Sequence, residues 1–255
     1  MKPVAKFGTK PLGHKAYGSI AHLPDSRMSR GDKGLNEGQV RILLAQPRKG
    51  DVIYVTEKMD GANTAVVKLD GQIMPLVRTG YDARTNDQEQ FKMFAAYVEK
   101  HEAVFDALLG EGERVCGEWL AMAHGIRYVD VRTPFVAFDL MKGQRRVPYA
   151  TFYERLKGHT AVVYPAPLVA AWPGDDCEHD GYFPLRLPMP HQPTELLWFV
   201  RDGAFGAIGG VEGLVYRVER NGQFDFAGKF VRSDFEPGAY FPEMTGEEPL
   251  WNWVA

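Results

Sequence analysis

The stretch Glu57-Lys58-Met59-Asp60-Gly61-Ala62-Asn63 sets a lysine just ahead of a carboxylate and a flexible glycine. A lysine becomes a covalent nucleophile near neutral pH when neighbouring cations disfavour its ammonium form. The same spelling returns as Lys68-Leu69-Asp70-Gly71. There it has a local explanation, because Asp-Gly between the β-type runs "TAVVKL" and "QIMPLV" is a strong hairpin signal that asks nothing of Lys68. A two-residue turn would pair Leu69 with Gln72, Val67 with Met74 and Asn63 with Arg78. Paired residues share a face, so Asn63 and Arg78 are expected together and Lys68 on the opposite side. Pro75 on the return strand marks an edge or a bulge.

Lys-x-Asp-Gly alone is a weak signal. What strengthens it lies downstream, where Glu118 in "CGEWL", Phe138 and Asp139 in "FVAFDLM", Glu212 in "EGLVYR" and Lys229 in "FAGKFVR" each interrupt or flank an apolar β run. A charge in such a run is costly unless a site uses it. Each one singly fits the solvent face of a sheet; the ordered set does not.

The elements that must position these residues are mostly short strands. "DVIYVTE", "NTAVVKL", "IMPLVRT", "ERVCGEWL", "PFVAFDLM", "AVVYP", "EGLVYRVE" and "QFDFAGKFV" are each bounded by Gly, Pro, Asp or Asn. One helix stands out, with Phe91, Phe94, Val98, His101, Phe105 and Leu108 on a single stripe, Thr85 and Gln88 as a capping box and Gly110 at its end. His101 on that stripe reads as a packed histidine. Shorter helices are expected near 35–46, 150–157 and 194–201, and the Pro- and Gly-rich residues 173–193 as a surface loop. Strands meeting through tight turns predict an α+β fold on antiparallel sheet. Strand parity puts Cys116, Glu118 and Leu120 on one face, and Glu212, Leu214 and Tyr216 on one face with Gly213 and Val215 turned into the packing.

At 255 residues the chain can bury a sizeable core. No apolar run approaches the roughly 20 residues that span a bilayer, and "MKPVAKFGTK" lacks a signal-peptide core, so a cytoplasmic protein with no membrane contact is expected. Its two cysteines, Cys116 and Cys177, are too few for a disulfide framework. A net charge of −3 argues against a protein that only coats nucleic acid, yet residues 1–50 carry ten Lys and Arg against three acidic side chains. Contact with a polyanion would therefore lean on that basic segment.

The series E-K-x-D-G-x-N, G-E-W, F-D, E-G-x-V and a lysine in the last strand resembles the covalent nucleotidyltransferases, the superfamily of ATP-dependent ligases and capping enzymes. Asn63, Arg78 and the opening "YGSIAHLPDSR" are similar to the RNA ligase 2 family, whereas DNA ligases usually have arginine where Asn63 stands. The resemblance spans roughly residues 17–232 and implies an adenylation domain of antiparallel sheets flanked by helices over 1–255, with a short acidic tail at 233–255 and no C-terminal OB-fold domain.

It further implies an ATP-dependent RNA ligase working with Mg²⁺ or Mn²⁺. Lys58 would form a lysyl-AMP phosphoramide, pass AMP to an RNA 5′-phosphate, and a 3′-hydroxyl would displace it. Lys229 would face the α-phosphate. Glu57, Asp60, Asn63, Arg78, Glu118, Phe138 and Arg232 would bind nucleotide, with Glu118 on ribose and Phe138 stacked on adenine. Glu212 would hold the metal, and Gly61 and Asp139 would support the site. Where the family has Lys-x-Lys this chain has Lys229, Phe230 and Val231, then Arg232, so one phosphate-facing lysine is missing or replaced. A partner protein is one source of further RNA-binding surface. The alternatives are a DNA ligase or capping-type transferase, and a non-catalytic RNA-end-binding domain of the same fold.

"DDCEHD" at 175–180 reads as a solvated acidic loop rather than a zinc site, lacking a second Cys/His pair at ligand spacing. "GAFGAIGGVEG" at 203–213 reads as a loop delivering Glu212, and Tyr240, Trp251 and Trp253 as residues tying the tail to the core.

Overall fold

The computed structural model describes residues 10–173 and 192–254. The acidic run 175–180, Cys177 and most of the expected loop 173–193 lie outside them.

Two mixed but mainly antiparallel sheets carry the fold. The first runs β1 (Ala21–His22), β11 (Gln223–Val231), β10 (Gly213–Arg220), β2 (Asp51–Lys58), β9 (Leu168–Pro173). The second runs β4 (Gln72–Val77), β3 (Ala62–Leu69), β5 (Glu113–Trp119), β6 (Phe135–Lys142), β7 (Arg145–Arg146), with β8 (Tyr164–Pro165) parallel to β6. The α+β expectation holds. "AVVYP" yields only the two residues of β8, while β9 forms from "LVAAWP", an apolar run outside the expected strands.

The β3–β4 hairpin has the expected register, with Leu69 opposite Gln72 and Val67 opposite Met74. Asp70 and Gly71 both take positive φ, 50° and 68°, as a tight turn between right-twisted strands requires. The Arg78 amide donates to the Asn63 carbonyl (3.1 Å), extending the pairing one step further. Pro75 sits opposite Val66 without a bulge, on the edge strand where its missing N–H costs no ladder bond.

Outside the second sheet lie α2 (Glu89–Lys100), α3 (Glu102–Leu108) and α4 (Tyr149–Leu156). The expected single helix is thus two, broken at His101, whose ψ of 21° leaves the helical range. No side chain caps α2: Thr85 belongs to a preceding 3-10 turn, where its hydroxyl donates to the Asp82 carbonyl. The apolar stripe survives the break, because Phe94, Val98, Phe105 and Leu108 all bury against Trp119 and Phe135. Each such large side chain contributes roughly 2–3 kcal/mol by leaving water.

On the outer face of the first sheet, α1 (Glu37–Leu43) and α5 (Pro193–Phe199) cover Ile53, Val55, Leu214, Tyr216 and Val218. Asn36 and Gln39 close a reciprocal capping box at the start of α1. The tail, including α6 (Pro242–Thr245), returns to the second sheet, where Trp253 packs on Trp119 and Tyr97 and Trp251 bridges to Met122. These aromatics anchor the chain, as expected. No described helix is long and apolar enough to cross a membrane.

Candidate active site

The two sheets meet around a cleft. The first sheet supplies a row of inward side chains, Tyr54, Thr56 and Lys58 of β2 beside Val215 and Arg217 of β10 and Ala227 and Lys229 of β11. The second supplies Asn63, Glu118, Phe138 and Asp139, and residues 17–20 close one side.

Lys58 is the last residue of β2, opposite Gly213. Its ammonium contacts the Glu212 carboxylate at 2.6 Å. Burial by itself would lower the Lys58 pKa, but Glu212, Glu118 and Asp60 outweigh it and raise the value. This reverses the expectation of surrounding cations: carboxylates crowd this lysine and hold its proton. Of the two lysines only Lys229 fits that expectation, lowered by burial and then by the charge of Lys58.

Glu212 reaches Lys58 from the residue just before β10, and the loop over 203–212 delivers it through glycines at positive φ, including Gly203, Gly206, Gly209 and Gly210. Because Glu212 precedes the strand, β10 parity runs opposite to expectation. Leu214 and Tyr216 go to the outer core, while Val215 and Arg217 face the cleft. Gly213 lies where a Cβ would sit 1.9 Å from the Phe230 carbonyl, so no other residue fits.

Phe138 and Asp139 are sequence neighbours, yet both line the cleft. A β-bulge explains it: Cys116 pairs with Asp139 and Gly117 with Ala137, leaving Phe138 unpaired. The Phe138 ring meets Tyr17 edge-on at 4.9 Å. Asp139 is buried between Arg217 Nη1 (2.5 Å), Arg146 Nε (2.8 Å) and the Tyr17 hydroxyl (2.5 Å). Arg217 also pairs with Glu219 at 2.7 Å. None of Tyr17, Arg146, Arg217 and Glu219 was among the expected site residues, although Tyr17 opens "YGSIAHLPDSR" and Arg217 and Glu219 interrupt the apolar run "EGLVYRVE", signals that could have found them.

Asn63 Nδ2 donates to Glu118 Oε2 at 3.4 Å, and Asn63 Oδ1 is buried without a hydrogen-bond partner. Burial, against the pull of Lys58, pushes Glu118 up to about 8. Arg78 lies at the cleft edge, donating to Ser19 Oγ at 3.1 Å.

Other expected residues serve the frame. Asp60 accepts from the amides of Gly125 (2.7 Å) and Ile126 (2.8 Å), and burial with the nearby Glu212 raises it to about 7. A Cβ on Gly61 would lie 2.5 Å from the Trp119 carbonyl, so the turn after Lys58 can press against β5 only with glycine. Glu57 turns its carboxylate from the cleft to the Ala204 amide (3.0 Å), and burial raises it to about 7. Arg232 is not brought to the cleft: it donates to the Val211 carbonyl (2.9 Å) and pairs with Asp234 (2.7 Å). It lies just past the end of β11 at Val231. Lys68 points to the helical side and pairs with Asp106 of α3 at 2.7 Å, as expected.

No curated protein matches the chain. Among solved structures it is similar to a Naegleria gruberi RNA ligase with PPi, at TM-score 0.51 and 16% identity over 97% of this chain and 64% of that one. A point mutant of the Naegleria gruberi RNA ligase with ATP and Mn gives TM-score 0.50 and 17% identity over 94% and 64%. The chain therefore spans less than two thirds of those structures, and at such identities the likeness shows the fold. The family profile described as RNA ligase matches residues 51–231, from the first residue of β2 to the last of β11. That interval holds Lys58, Asn63, Glu118, Phe138, Glu212 and Lys229 in order, and the chain belongs to the RNA ligase family.

Proposed function

We propose that the chain is an ATP-dependent RNA ligase, joining RNA 3′-hydroxyl and 5′-phosphate ends through a lysyl-AMP intermediate. The observation that carries the reading is the convergence of Lys58, Glu212, Glu118, Asn63 and Lys229 from both sheets on one cleft. Lys58 Nζ forms a bond to the α-phosphorus as the bond to the leaving pyrophosphate breaks. AMP then moves to the RNA 5′-phosphate, and the 3′-hydroxyl displaces it to form the phosphodiester.

Lys58 must shed a proton before it attacks, and its carboxylate neighbours oppose that loss. Moving Glu212 from the ammonium onto a cation would relax this hold and release the proton to solvent. Lys229 presents positive charge where negative charge grows on the phosphates, and electrostatic stabilisation of this kind does most to lower the barrier in phosphoryl and nucleotidyl transfer. The unpartnered Asn63 Oδ1 and Glu118 are acceptors suited to ribose hydroxyls, and Phe138 is a stacking surface for adenine. The base then lies toward Tyr54 and Arg217, deep along the β2 and β10 row.

Glu212 fits a hard divalent cation, Mg²⁺ or Mn²⁺, which accepts one or two carboxylates alongside substrate phosphates. The described residues contain no three-ligand His, Cys, Asp and Glu cluster, in keeping with a site shared with the nucleotide. When bound, the cation supplies charge against the phosphate oxygens. The same reading makes 1–255 one adenylyltransferase domain acting in the cytoplasm, with the basic N-terminal segment, or a partner protein, extending the RNA surface.

Incubation with ATP and Mg²⁺ followed by intact-mass measurement tests this. An added AMP is expected on the wild type, lost in Lys58→Ala and kept in Lys68→Ala. No adduct between pH 6 and 9 would refute the proposal, and labelling by GTP alone would point to capping chemistry. Sealing of nicked RNA against nicked DNA strands then decides the polynucleotide.

A further inference from the structure

The second phosphate-facing lysine expected near Lys229 is absent, and Arg232 does not replace it. What stands beside Lys229 instead is a polar chain from the N-terminal segment, built on the buried His22 with the part-exposed Ser26 and Asp32 at its ends. His22 of β1 lies opposite Lys229 in a parallel pair with β11, and the Leu23 amide donates to the Lys229 carbonyl at 2.8 Å. His22 is 2% exposed, so it cannot itself touch a ligand in the cleft. Its Nδ1 is 2.7 Å from Ser26 Oγ, which accepts the Val231 amide at 2.9 Å. Its Nε2 is 3.1 Å from Asp32 Oδ2, a carboxylate fixed in turn by the Ser29 amide at 2.9 Å.

The backbone adds to these clamps. The His22 amide donates to the Lys33 carbonyl, and the Leu35 amide donates back to the His22 carbonyl. Arg27 donates its amide to the Val231 carbonyl. Residues 21–35 thus form a closed loop whose interior holds His22 and whose rim grips β11 on both sides of Lys229. The Asp32 carboxylate also attracts the Lys229 ammonium across the loop. A solvent-facing loop that served only to cover an edge strand would have no need of an imidazole buried inside it, hydrogen-bonded to Ser26 at Nδ1 and with Nε2 within ion-pair distance of Asp32.

We propose that His22, held between Ser26 and Asp32, is a positioning residue for Lys229, fixing its ammonium against the nucleotide phosphates in place of a second lysine. This rests on the ligase reading above. The chain from Asp32 through His22 and Ser26 to the Val231 amide clamps the edge of β11 that β10 leaves open, on either side of Lys229. Displacement of such a group by about 1 Å costs on the order of a hundredfold in rate.

Single-turnover adenylation of Lys58, read by intact mass, tests the proposal in a double-mutant cycle. His22→Ala and Asp32→Asn are each expected to slow adenylation at least about tenfold at saturating ATP, with little change in half-saturation, because the lost contact acts in the transition state. In a Lys229→Ala background the further effect of His22→Ala is expected to shrink to within about twofold, since residues acting through one another are not additive. Equal slowing in both backgrounds, tracking a fall in melting temperature, would mean a purely structural role and overturn the proposal. Asp32→Asn keeps the residue's volume, so should His22→Ala not fold, unchanged adenylation in Asp32→Asn overturns it as well. Wild-type protein that takes no AMP overturns the ligase reading and this one together, whereas adenylation indifferent to His22 and Asp32 overturns this one alone.

Discussion

At the scale of single residues, the cleft is a set of charges removed from water and tuned by what lies beside them. Glu57 shows the cost of this most simply, because its only neighbour effects are burial and one amide. Burial raises its folded pKa to about 7 from the usual value of 4.5. The folded state therefore binds more protons than the unfolded one between those values, and stability from this group is full below about 4.5 and is lost as pH rises through about 7. Glu57→Gln keeps an acceptor for the Ala204 amide and removes the charge. The variant is expected to match the wild type near pH 4.5 and to exceed it at pH 8 by on the order of 2 kcal/mol, or several degrees in a thermal melt. An equal melting temperature at both pH values would refute the assignment.

At the scale of elements, what was legible in the sequence was what local rules govern. Asp70-Gly71 defined a turn, the turn defined a register, and the register separated Lys68 from Asn63. Features set by a distant partner were not legible. Phe138 and Asp139 share the cleft only because β5 skips a residue of β6, and a bulge is invisible until the pairing is known. The faces of Leu214 and Val215 were inverted because Glu212 lies before its strand rather than in it. The break at His101 escaped because the apolar stripe continues through it. Gly61 belongs to this scale too: its contact with the Trp119 carbonyl joins the turn after β2 to the end of β5. Gly61→Ala forces a Cβ against backbone that cannot yield, so a loss of roughly 1–3 kcal/mol is expected in urea unfolding, with slower adenylation. A variant as stable and active as the wild type would show that the turn can yield.

For the whole molecule, one link between the sheets is ionic. Asp139 of the second sheet is bound by Arg217 of the first and by Arg146 and Tyr17, all buried or nearly so. A sequence separation of 78 residues between Asp139 and Arg217 leaves no pattern by which the pair could be read in advance. Asp139→Asn strands two guanidiniums that have already lost their water. The expected cost is about 3–5 kcal/mol in urea unfolding, against less than about 1 kcal/mol for Asp106→Asn, which breaks the solvent-facing pair with Lys68. Comparable losses from the two would refute the ranking.

That ionic link also ties the joint between the sheets to the cleft itself. With Tyr54, Tyr149 and Phe224 it lines the same cleft as Lys58. On the proposed ligase function, loosening it would disturb the nucleotide pocket as well as the frame, so affinity for ATP and resistance to urea would fall together.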